Sequence, residues 1–132
     1  MTASPEPDRR QCEVALDTLM MSSESLDTVL LAYRDGRPYL FKSRSRQNSG
    51  KLAAMIGSLV ALSQTILKET SEDGLDLAVL EGAKSKLVTT RITAGDGLLV
   101  LAALAGSSVS LGRLLNDTRA CATRVAAAFP PR

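Results

Sequence analysis

The side chains that could do chemistry in this 132-residue chain are few, and their types exclude most reactions. Histidine is absent, which removes the usual general base and the commonest zinc ligand. Cys12 and Cys121 stand alone and far apart. A disulfide between them is possible in principle. Their apolar neighbours and the lack of a secretory leader favour two reduced, buried core thiols. Ser49-Gly50-Lys51 superficially resembles a phosphate-binding loop. It fails because Ser45 occupies the first glycine position and Leu52 stands where a magnesium-binding Ser or Thr is required. Ser49 and Lys51 could form a serine–lysine pair, but nothing supplies an oxyanion hole. Glu69, Glu72 and Asp73 surround a turn and read as solvated. The expectation is a non-enzymatic protein with no catalytic residue, no metal and no cofactor. One loose basic run, Arg44, Arg46 and Lys51, is either a solvated loop or a site for an acidic partner.

The elements that would position such residues follow from composition and periodicity. Hydrophobic residues make up 45% of the chain but aromatics only 3%, so aliphatic side chains must fill the core and little remains for stacking on bases. No nucleic-acid partner is expected, and a net charge of +2 does not select one. No segment reads as a signal peptide or a transmembrane helix, so a cytoplasmic protein without membrane insertion is expected. The length suits one domain, over residues 8–129, between a flexible tail at 1–7 and a short one at 130–132.

Residues 97–105 are apolar at nearly every position and read as a strand covered on both faces. Before it, the chain reads as a helix begun at Ser4-Pro5 or Pro7-Asp8, then a hairpin over 26–42 turning at Gly36. A long helix follows over 49–69, then strands over 75–81 and 87–93; after residue 105 comes a helix capped by Ser108 or Ser110. The loops between the last three strands are too short for crossovers, so they form an antiparallel meander. On the long helix, Leu52, Met55, Ile56, Leu59, Leu62 and Ile66 form a broad stripe. Further apolar and small residues occupy much of the remaining circumference. A helix covering a sheet needs one stripe, and the small residues Ala54, Gly57, Ser58 and Ala61 would admit a second helix closely. A twofold homodimer accounts for this surplus. The alternative is that the first or third helix of the same chain covers it.

This order resembles the roadblock/dynein light chain family, of the bacterial small-GTPase regulator type. The resemblance spans residues 11–129. It rests on Val29-Leu-Leu-Ala-Tyr-Arg-Asp-Gly-Arg-Pro38, on the segment from Leu52 to Leu62, and on Gly97-Leu-Leu-Val-Leu-Ala-Ala-Leu104. It implies an α+β, profilin-like architecture: a five-stranded antiparallel sheet in the order 2-1-5-4-3. The central helix lies on one face, with the N- and C-terminal helices on the other. It further implies a homodimer joined through the third strand and the central helix, here Leu75, Leu77 and Val79 with Ala54, Gly57, Ser58 and Ala61. The implied partner is a small Ras-like GTPase whose hydrolysis the protein modulates, contacted through Arg44, Arg46, Lys51, Ala54, Ser58 and Ala61. A structural scaffold subunit without GTPase regulation is the alternative, and a small-molecule sensor a more distant one.

Overall fold

A computed structural model describes residues 6–72 and 74–131. The chain forms helix α1 (Arg9–Met21), strands β1 (Leu26–Tyr33) and β2 (Pro38–Ser43), and helix α2 (Ser49–Ser71). Strands β3 (Leu77–Glu81), β4 (Ser85–Arg91) and β5 (Leu99–Gly106) and helix α3 (Leu111–Ala127) follow. The sheet is antiparallel in the order β2-β1-β5-β4-β3, as the resemblance implied. Its apolar centre, β5, is buried on both faces. Leu99, Leu101, Ala103 and Ala105 join the core under α1 and α3, while Val100 and Ala102 join the core under α2.

Side-chain oxygens set the helix starts by accepting backbone N–H groups that have no partner within the helix. Asp8 accepts from Gln11, Asn48 from Lys51 and Ser110 from Arg113. The first helix therefore starts at the Pro7-Asp8 signal; the alternative start at Ser4-Pro5 lies outside the described residues. Pro7 is buried, and the Asp8 amide donates to the Ala128 carbonyl at 2.7 Å. Gly36 adopts φ +95° at the hairpin turn.

The meander differs from expectation in three places. β3 begins at Leu77, because Leu75 is buried in the α2 core and Asp76 turns outward to pair with Arg91 at 3.2 Å. Leu75 therefore does not share a face with Leu77 and Val79, which pack toward α1 and α3. β4 lies two residues earlier than its pattern suggested. β5 begins at Leu99 because Gly95, Asp96 and Gly97 take three consecutive left-handed conformations, which break the strand.

By length and composition alone, α2 could cross a membrane, contrary to the expectation that no segment would. It runs two residues past its expected end and is apolar around much of its circumference. In the structure it lies along the sheet with one side buried.

Candidate partner interface

The side of α2 that meets the sheet carries Ala53, Ile56, Gly57 and Val60. Small residues are required here because the helix rests on the β1–β2 turn. A Cβ on Gly57 would stand 3.0 Å from Cα of Gly36, and one on Gly36 would stand 3.3 Å from Cα of Ala54. Gly57 thus serves a contact within the chain, which removes it from the candidate helix–helix surface. The larger residues face outward instead: Met55 is 57% exposed, Leu62 65% and Ile66 60%. At 100° per residue these three and Leu59 share one flank, opposite the flank of Gly57 and Gln64. Ala54, Ser58 and Ala61 are exposed along the top of the helix. No charged residue interrupts α2 between Lys51 and Lys68. An exposed apolar face of this extent is unusual for a free surface.

The sheet extends that face. Leu80 is directly opposite Leu87 on β4, which is directly opposite Leu104 on β5. This leucine row lies on the α2 side, because Leu87 packs against the core there; Leu80 is 51% exposed. β3 is an edge strand, and its sequence, Leu-Ala-Val-Leu-Glu, carries neither Pro nor Lys. Such an edge is open to pairing with another strand. The opposite edge, β2, carries both Pro38 and Lys42. On β3, Leu77 and Val79 are half-buried against the other layer, whereas Leu75 is only 6% exposed.

The three basic candidates do not form one cluster. The Arg44 guanidinium caps the end of α1, donating to the carbonyls of Met20 (2.8 Å), Ser23 (3.1 Å), Glu24 (3.2 Å) and Leu26. These are acceptors that a helix end and the following turn leave unmatched, so Arg44 is committed to the fold. Arg46 and Lys51 are exposed near the start of α2. The connection leading there is held by Asp27, whose carboxylate accepts from Thr28 and Ser45 at 2.7 Å and from Gln47 at 3.5 Å. Burial would raise its pKa. The donors from Thr28, Ser45 and Gln47, with Arg44 nearby, outweigh that and hold it below the usual carboxylate value.

Neither thiol belongs to this surface. Cys12 and Cys121 are free and buried, and Cys121 Sγ donates to the Ala15 carbonyl at 3.4 Å. Burial pushes the Cys12 thiol up to about 11, with Asp8 adding to the rise, and the Cys121 thiol up to about 12. Both stay protonated and unreactive near neutral pH. Among the described residues, no group of three or more His, Cys, Asp or Glu could hold a metal ion.

Sequence reasoning places Met55, Leu62 and Ile66 in the helix stripe but not in the interface. The charge-free run from 52 to 67 is the available signal. Leu80 is out of its reach, since strand alternation assigns a face without saying whether anything covers it.

No known family profile and no curated protein matches the chain. Solved structures do match. The chain is similar to the gliding protein MglB from Thermus thermophilus, with a TM-score of 0.82 and 15% identity over 96% of this chain and 97% of that one. It is similar to MglB of Myxococcus xanthus, with a TM-score of 0.79 and 19% identity over 89% and 93%. A roadblock/LC7 domain from Streptomyces avermitilis gives 0.73 and 17% over 83% and 89%. At these identities the shared property is the fold, which is that of the roadblock/LC7 domain.

Proposed function

We propose that this chain is a non-enzymatic adaptor that pairs with a second copy of itself and presents the paired α2 helices to a small Ras-like GTPase in the cytoplasm, modulating its GTP hydrolysis. The observation that carries the proposal is the charge-free, outward apolar flank of α2, continued by the leucine row beside the open β3 edge. The roadblock/LC7 fold supports it.

The surface is self-complementary. An antiparallel α2 pair centred between Val60 and Ala61 sets Met55 against the partner's Ile66 and Leu59 against the partner's Leu62. Antiparallel pairing of β3 about Val79 would satisfy its unpaired backbone groups. Each large apolar side chain fully covered contributes about 1.5–3 kcal/mol. Pairing leaves Ala54, Ser58 and Ala61 along the top of the helices, flanked by Arg46 and Lys51, as the GTPase-facing surface. The domain that does this spans residues 8–129.

The test titrates the chain against small Ras-like GTPases from its own genome, each loaded with GDP or with a non-hydrolysable GTP analogue. Binding that depends on the nucleotide, with an altered hydrolysis rate, is the expected result. No complex in either state overturns the GTPase reading. A pair that forms without GTPase binding identifies a structural scaffold instead. A wild-type monomer at micromolar concentration in sedimentation equilibrium overturns the pairing.

A further inference from the structure

We propose that Lys51 and Glu69 form an intermolecular charge lock: Lys51 of each copy meets Glu69 of the other, and the two contacts fix the α2 pair as antiparallel and specific for this chain. The inference rests on the pairing half of the proposed function and not on its GTPase half. Both residues are exposed, and neither side chain has an ion-pair partner among the described residues. They stand eighteen residues apart, which is five whole turns at 100° per residue, so they share one angle on the helix about 27 Å apart. That angle is the shoulder between the flank of Met55, Leu59, Leu62 and Ile66 and the top carried by Ala54, Ser58 and Ala61. Lys68 falls on the Gly57–Gln64 flank instead, and Glu72 is the left-handed C-cap beyond the last helical residue.

A second observation comes from the helix ends. Lys51 is the third residue of α2, beside the unpaired N–H groups and their positive partial charge; Glu69 is the third from its end, beside the unpaired carbonyls. Within one chain each charge therefore stands at the unfavourable end of the helix. An antiparallel pair reverses this, because it sets the start of one α2 beside the end of the other. The point midway between Lys51 and Glu69 is Val60, and the apolar flank is symmetric about Val60 and Ala61. The two registers agree to within one residue, about 1.5 Å along the helix. Helix axes roughly 8–10 Å apart leave residues on the shoulder within reach of long side chains, as at the charged flanking positions of coiled coils. A parallel pair would set Lys51 against Lys51 and Glu69 against Glu69. The charge order thus selects one orientation and disfavours partners with a different order.

The experiment measures self-association of the full chain by sedimentation equilibrium for wild type, Lys51→Glu, Glu69→Lys and the double charge swap. Mixed pairs of wild type with the double swap are followed by energy transfer between labelled copies. Each single variant turns two attractive contacts into two repulsive ones and should weaken pairing about tenfold. That penalty should shrink in 1 M salt, where the Debye length is about 3 Å. The double swap should pair within about threefold of wild type, yet form few mixed pairs with it. The substituted side chains are exposed, and recovery in the double swap separates a lost contact from a lost fold. Unchanged pairing in both single variants overturns the lock while leaving the pairing intact, and so does a double swap that stays as weak as the singles. Preferential mixing of wild type with the double swap overturns it in favour of a parallel pair. A wild-type monomer overturns the pairing reading and the lock with it.

Discussion

On the α1/α3 side of the sheet, buried side chains run from Cys12 and Leu16 through Val29, Leu31 and Leu101 to Val125 and Phe129, forming a core of twenty-one residues among those described. On the α2 side the core holds eight. One helix, seated on a glycine contact, covers only part of that face, and large aliphatic residues on its far flank remain in solvent. The first layer is complete within one chain and accounts for the fold. The second is a half-layer whose apolar surplus suits a second copy. The same kind of substitution should therefore cost folding on one side and association on the other.

The largest expected effect tests the closed layer. Leu101 is fully buried, and Leu101→Ala should cost about 2–5 kcal/mol in chemical denaturation, whatever the protein concentration. In the open layer, Leu62→Glu should leave monomer stability within about 0.5 kcal/mol, because the side chain is 65% exposed. It should nevertheless abolish pairing in sedimentation equilibrium, since a charge would be buried without a partner. A stability loss in Leu62→Glu comparable to that of Leu101→Ala would break the comparison.

Smaller effects sharpen it. Gly57→Ala places a Cβ 3.0 Å from the Gly36 backbone and should destabilise the monomer by about 1–3 kcal/mol. It thus reports on the seat of α2, whereas Ala61→Arg reports on its outer surface. Gly95→Ala puts a methyl group into the Phe129 ring at a left-handed residue, φ +63°, with a cost of about 1–3 kcal/mol. The smallest expected effect is that of Asp27→Asn. The folded carboxyl has a lowered pKa, so its contribution is present above the unfolded value of about 4 and is lost as pH falls through the folded value. The stability difference between wild type and Asp27→Asn should therefore be constant near neutrality and vanish in acid. A difference that grows toward low pH would reverse the assignment.

Much of the architecture was legible because local chemistry and burial agreed. The unbroken apolar run of 97–105 reads as a strand with two covered faces, and the cap signals bracket the helix starts: Pro7-Asp8 is one of two starts open for α1, and Ser110 one of two caps open for α3. Gly36 was recognisable as a turn glycine from its Asp-Gly setting. The candidate site was less legible. Small residues at helical spacing signal close approach without identifying the neighbour, and the stripe of larger residues was no guide to which side met the sheet. Arg44 looked like part of a basic surface, yet its acceptors lie in the α1 end and the turn after it, about twenty residues earlier in the chain.

The sequence by itself determined the order of elements, the hairpin and the meander as separate units, and the lack of a histidine base, because periodicity, turns and residue types are local properties; the joining of hairpin and meander into one sheet was implied by the family resemblance. Only the tertiary structure decided that Gly57 serves the β1–β2 turn while Met55, Leu62 and Ile66 face water. It also decided that Leu75 belongs to the core and Leu80 to the surface. The physical reason is that burial belongs to pairs of surfaces: a helix carries apolar residues around its circumference, and only the packed chain shows which of them it has covered.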